Sequence, residues 1–227
     1  MFVIQECLAP MEFIDIIHSD TEKKGVLMLQ KKEVVLFDFD GTLSGGDANI
    51  EFAKYCFKHS FYPWLFLPVI LFCALFCKSQ PNAIWWRECM RRFMTKKMVK
   101  KFAPEFIKQH KRNRFGWAKE RVQSERDAGR IVIMVSASPD FLLRPLVRDM
   151  NFDMVFCSET QKDKPWKYDF LCYNANKVRK MDEWASANKI IPHVVRAYSD
   201  SKSDMPMMEI AEEQVWIDAK TGLRKEA

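Results

Sequence analysis

Two kinds of apolar run alternate along this 227-residue chain. Short β-branched runs of strand length, at residues 33–38 (EVVLFD) and 131–135 (IVIMV), read as buried strands. Further strand-like runs fall at 153–157, 193–198 and 214–217. Between them lie segments with helical spacing, at 118–128, 139–148, 176–188 and 203–212. Gly129 turns the chain into the second strand, and Pro139 reads as the first residue of a helix capped by Ser138. Strands alternating with helices predict an α/β fold, a parallel sheet covered on both faces.

The first and second strands are separated by about ninety residues of helical character, far more than a crossover requires. The expected organisation is therefore a core of residues 31–46 and 119–227 carrying an inserted helical cap at 47–118. Residues 1–30 precede the first strand and lack the basic start and long apolar stretch of a secretory signal. Met28 is a candidate start, the alternative being a real N-terminal extension. Within the insertion, residues 61–77 (FYPWLFLPVILFCALFC) run without a charge. As a helix this stretch spans about 25 Å, short of the ~30 Å hydrocarbon core of a bilayer. Aromatics at its start, prolines at 63 and 68 and lysines on both sides fit an interfacial or re-entrant segment. A helix buried within a soluble cap is the alternative.

Charge sharpens that picture. Eleven basic residues between Arg87 and Arg114 face two glutamates, so this segment carries +9 of a chain whose total is +6. An anionic membrane surface is the expected partner, nucleic acid is not, and a solvated helix face is the plain alternative. Seven cysteines without a CxxC pair read as reduced thiols, and none of the four scattered histidines reads as a ligand.

The chemistry gathers at strand ends. Asp38 and Asp40 follow the first strand two residues apart, ahead of Gly41 and Thr42. Carboxylates this close resist ionising together unless a cation lies between them, and Mg²⁺ takes such hard oxygens. Asp38 suits a nucleophile that forms an aspartyl-phosphate, and Asp40 suits an acid and base for the alcohol and the water. Ser136 and the Ala137 backbone N–H stand after the second strand, where phosphoryl oxygens need donors. Lys177 can neutralise charge on the phosphoryl group, with Lys164, Lys167 and Lys180 as competitors for that role. Asp200 and Asp204, in the loop after another strand, are spaced to complete the metal site.

DFDGT at 38–42, Ser136, Lys177 and the Ser199-Asp200-xxx-Asp204 element resemble the four motifs of the haloacid dehalogenase superfamily. Order and spacing resemble its phosphoserine-phosphatase-like branch, subfamily IB, over most of residues 33–218. The resemblance implies a Rossmann-like core and a Mg²⁺-dependent phosphatase. In it Asp38 is the nucleophile, Asp40 the acid and base, and Ser136, Ala137 and Lys177 the phosphate holders. Asp38, the Asp40 carbonyl and Asp200 would ligate the metal, with Asp204 as a supporting or further ligand. Ser199 departs from the glycine usual there. Asp47 stands where related phosphatases carry an acid facing the substrate, or else caps a helix. The apolar stretch and the pattern YSDSxxDxP ending at Pro206 are similar to the phosphatidylglycerophosphatase C group. That similarity implies a lipid phosphate substrate at the cytoplasmic face of the inner membrane. The alternative is a cytoplasmic phosphatase of phosphoserine type, and a non-catalytic scaffold is the third reading.

Overall fold

The computed structural model describes residues 29–60, 68 and 95–225. β1 (Gln30–Phe37) and β2 (Ile131–Pro139) lie side by side at the centre of a six-stranded sheet. β3 (Met154–Gln161) follows outward from β2, and β4 (Lys164–Phe170) folds back on β3 as an antiparallel edge. On the other side of β1 run β5 (Ile190–Ser199) and β6 (Glu213–Trp216), both parallel to it. The order is β4-β3-β2-β1-β5-β6. Connections leave β1 toward β2 and return on its far side at β5, so the sheet has its topological switch point there. Open α/β sheets bind ligands at the carboxyl ends of such strands.

The apolar run of β1 is buried on both faces, which is why it does not alternate with polar residues. Val35 and Phe37 face one core with Val132 and Met134, while Val34 and Leu36 face the other with Ile133 and Val135. The first core is closed by α1 (Ala48–His59), α2 (Lys96–His110), α3 (Ala118–Asp127) and α4 (Asp140–Val147). α5 (Ala175–Ala187) and α6 (Met205–Glu209) cover the second through Met181, Met207 and Met208.

α1 and α2 belong to the insertion between β1 and β2. Phe52 of α1 meets Phe106 of α2 with ring centroids 5.2 Å apart and Phe141 of α4 at 5.9 Å. The two chain crossings into this insertion are hydrogen-bonded to each other. Gly45 N donates to Asn113 O at 2.9 Å, and Phe115 N donates to Leu43 O at 3.0 Å. Of the apolar stretch 61–77 only Pro68 lies within the described residues. Among the described residues no helix is long and apolar enough to cross a membrane.

Three local expectations change. The helix expected from Pro139 begins one residue later, because Pro139 still pairs with Ser158 as part of β2. Ser138 does not cap it, since its hydroxyl is committed to Asp40. The helix expected over 203–212 shrinks to α6 behind a 3₁₀ turn at Lys202–Asp204, because Glu212 N already donates to Val194 O in the sheet.

Candidate active site

The sheet delivers its acids at the end of β1, immediately past Phe37. The main chain is anchored there, with Asp38 N donating to Tyr198 O of β5 at 3.0 Å. A tight turn follows, in which Gly41 N donates to Ser44 O at 2.8 Å. Gly41 has φ +77°, and a β-carbon at that position would lie 2.3 Å from Asp200 Oδ2. Only glycine lets this backbone approach the Asp200 carboxylate so closely.

Asp38 is 6% exposed. Its Oδ1 accepts from Lys177 Nζ at 2.8 Å, and its Oδ2 from Thr42 Oγ1 at 3.4 Å. The same lysine donates to Asp204 Oδ2 at 2.7 Å, so one buried ammonium is shared by two buried carboxylates. Burial pushes the Asp38 carboxyl up to about 8; Lys177 pulls against that, while Asp204 and Asp40 add to it. Burial alone would lower the Lys177 ammonium, but the charges of Asp38 and Asp204 outweigh it and hold it above the usual lysine range. Asp200 is also raised, first by burial. Its Oδ1 accepts from Thr42 Oγ1 at 3.3 Å, so Thr42 bridges the β1 and β5 acids.

Asp40 is held on both oxygens. Ala48 N, at the start of α1, donates to Oδ1 at 2.7 Å, and Ser138 Oγ donates to Oδ2. Ser136 is fully buried in β2, and its Oγ accepts from Ser138 N at 3.1 Å. Lys177 comes from the first turn of α5. Ahead of it, Asn174 adopts φ +53° with ψ −133°, a positive-φ conformation outside the left-handed helical region. Asn176 N donates back to Tyr173 O at 3.1 Å across that turn.

These groups surround one cavity of about 200 Å³. Asp38, Asp40, Asp47, Ser136, Ala137, Lys177, Asp200 and Asp204 all line it, so every candidate from the sequence reaches the same space. Lys164 and Lys167 lie on the antiparallel edge strand β4, and Lys180 pairs with Glu159 at 3.4 Å. Asp47 does two things. Its Oδ1 caps α1, accepting from Asn49 N and Ile50 N at 3.0 Å, while the residue also lines the cavity. Sequence reasoning missed Tyr173, Ser201 and Ser203 on the wall and Ser138 behind it. Ser138 had a signal, two residues past Ser136 on the same strand face; Tyr173 had none before the turn at Asn174 was known.

Among the described residues no three His, Cys, Asp or Glu side chains converge closely enough to hold a metal by themselves. Mg²⁺ does not require that, since it commonly takes one or two carboxylates and completes its shell with water and phosphate. Five aspartates facing one lysine leave the cavity negative, and the donors are hard oxygens, so the residues fit such an ion.

Residues 35–209 match the haloacid dehalogenase-like hydrolase family, three quarters of the chain, from the last three residues of β1 through the end of β5. The chain belongs to the haloacid dehalogenase-like hydrolases. A Mycobacterium tuberculosis protein named "Probable phosphatase" is 29% identical to this hydrolase over 117 residues. That match covers 50% of this hydrolase and 40% of the relative's length. Among solved structures, a protein of unknown function from Bordetella pertussis Tohama I superposes with a TM-score of 0.64 at 15% identity. The overlap covers 83% of this hydrolase and 91% of that chain. A phosphoserine phosphatase captured as a phospho-aspartyl intermediate analogue gives 0.61 at 18% identity, covering 83% and 87%. At such identities the superpositions establish a shared fold.

Proposed function

We propose that this hydrolase releases phosphate from a phosphomonoester through an aspartyl-phosphate on Asp38. The observation that carries this reading is the Lys177 ammonium 2.8 Å from Asp38 Oδ1, inside a cavity that also presents Asp40 and Ser136. An Asp38 carboxylate oxygen bonds to phosphorus as the phosphorus–alcohol oxygen bond breaks, and Asp40 gives its proton to the departing alkoxide. Asp40 then takes a proton from water, whose oxygen bonds to phosphorus as the bond to Asp38 breaks. Phosphate leaves and both aspartates return to their starting state. Ser136 Oγ and Ala137 N–H supply donors for the phosphoryl oxygens, and Lys177 offsets charge beside them. Asp38, the Asp40 carbonyl and Asp200 would hold Mg²⁺, with Asp204 supporting from behind Lys177. When bound, the ion neutralises charge between the carboxylates and the phosphoryl group.

For the substrate, the phosphoserine phosphatase neighbours support a small phosphomonoester of that type. The insertion at 47–118 would then act as a cap, with Asp47 facing the alcohol portion. One observation supports a lipid phosphate at an anionic membrane surface as a second reading. Lys97, Lys100, Lys101 and Lys108 of α2 are all exposed. Lys101 lies over the Phe102 ring, 5.1 Å from its centroid.

Phosphate release from phosphoserine, phosphatidic acid and phosphatidylglycerophosphate in micelles, each with Mg²⁺, separates these readings. Preference for phosphoserine supports the small substrate, and preference for a lipid phosphate supports the membrane reading. Chelation should abolish release and added Mg²⁺ restore it. Asp38→Asn should lower kcat by at least about 10³-fold, the scale expected when a covalent nucleophile is lost. Full activity in that variant would remove Asp38 from the reaction.

A further inference from the structure

Ser199 stands directly before Asp200, where the resemblance leads one to expect a glycine, and the reaction as written gives it no role. In the structure it is fully buried at the end of β5, directly before Asp200. Its Oγ donates to Asp204 Oδ2 at 2.8 Å. That oxygen is the one that accepts from Lys177 Nζ at 2.7 Å, and the same Nζ reaches Asp38 Oδ1 at 2.8 Å. Ser201 N donates to Ser199 Oγ at 3.2 Å, which fixes the hydroxyl from the loop side and directs its proton at Asp204. Four groups thus form one buried chain: Ser199, Asp204, Lys177, Asp38.

We propose that Ser199 is a positioning residue for the nucleophile, acting through Asp204 and Lys177. The inference rests on the phosphatase reading above. Asp38 and Asp204 compete for one ammonium. A carboxylate with a second donor already on its Oδ2 holds the lysine less tightly and in one orientation. Taking the hydroxyl away leaves that carboxylate oxygen, on a residue 2% exposed, with Lys177 alone of its two side-chain donors. Asp204 then draws the ammonium toward itself and away from Asp38. A glycine at this position supplies no donor, so a chain built that way must hold its lysine by other contacts.

Ser199 does not itself line the cavity, and its hydroxyl reaches that space only through Asp204 and Ser201. Its loss should therefore change the chemical step and spare substrate binding. A buried hydrogen bond to a charged group corresponds to roughly 10- to 100-fold. Ser199→Ala should accordingly lower kcat about tenfold or more with p-nitrophenyl phosphate and Mg²⁺, leaving KM and the Mg²⁺ half-saturation concentration unchanged.

A double-mutant cycle with Asp204→Asn separates this from a general loosening of the loop. If Ser199 acts through Asp204, Ser199→Ala should add little to the loss already caused by Asp204→Asn. Two independent, multiplying losses would overturn the proposal. So would wild-type kcat in Ser199→Ala, or a loss that follows Mg²⁺ affinity or the fraction folded by circular dichroism. Ser199→Thr, which keeps the hydroxyl, should retain more kcat than Ser199→Ala wherever both variants melt cooperatively; the reverse order overturns it. Phosphate release by the wild type with Ser199→Ala unaffected removes this proposal alone. Absence of release by the wild type removes the phosphatase reading and this proposal together.

Discussion

His110 is 2% exposed at the end of α2, inside the joint between the insertion and the core. Its Nδ1 lies 2.9 Å from Glu51 Oε2 and its Nε2 3.5 Å from Ser44 Oγ, and Asp47 and Arg114 are the other charges acting on it. Burial lowers its pKa and outweighs the pull of Glu51 and Asp47 in the other direction; Arg114 acts with burial. The folded protein therefore resists protonating His110 more than the unfolded chain does. As pH falls through the ordinary histidine value near 6.5, the unfolded state binds the extra proton and stability drops. Above that value the contribution is fully present. Urea midpoints at pH 7.5 and 5.5 should differ more for the wild type than for His110→Gln. An equal difference in both would assign the acid sensitivity to other groups.

At the scale of elements, the central strands supply the buried core, and the candidate catalytic acids lie just past their carboxyl ends. Ile133 of β2 is fully buried in the core shared with α5 and α6. Ile133→Ala should cost about 3 kcal/mol in urea denaturation, from lost burial and the cavity left behind. Phosphate release per folded molecule should not change, because Ile133 faces a core and not the cavity. The same division governed what could be read from sequence. β1 and β2 were legible because strands buried on both faces are continuous apolar runs, and the motif residues sit at their ends. β4 was not, since KPWKYDF is an edge strand whose pairing with β3 is broken by register shifts. Asp38, Asp40 and Asp200 announce themselves by spacing. The donors on Asp40 do not, because Ala48 and Ser138 are 8 and 98 residues away along the chain and meet it only in the fold. Lys177 is preferred over Lys164 and Lys167 in the sequence, and the fold separates them further by placing those two on the edge strand.

Across the whole molecule, one buried glutamate ties the layers together. Glu125 of α3, 1% exposed, meets Arg130 Nη1 at 2.6 Å, Arg196 of β5, and the Tyr198 hydroxyl at 3.3 Å. Arg130 continues to Glu33 of β1 at 3.0 Å, and Arg196 to Glu213 of β6 at 2.6 Å. A helix and three strands thereby share one charge network. Glu125→Ala removes the shared acceptor and leaves two partly buried guanidiniums without it. Breaking a buried pair in this way costs about 3 kcal/mol or more. A fall of that size in denaturant stability, with the cavity residues still active per folded molecule, is the expected result.

The paired crossings at 43–45 and 113–115 have a consequence for how such a protein can change over time. An excursion that leaves and returns through adjacent, mutually hydrogen-bonded segments adds little closure entropy to the host, because its ends are already held together. The residues between can lengthen, shorten or be exchanged for another segment while the host sheet keeps its register. Asp38, Ser136, Lys177 and Asp200 all lie outside that excursion. If the insertion faces the alcohol, as proposed above, a change confined to one contiguous stretch of gene reaches substrate choice while these four residues stay where the sheet and α5 hold them.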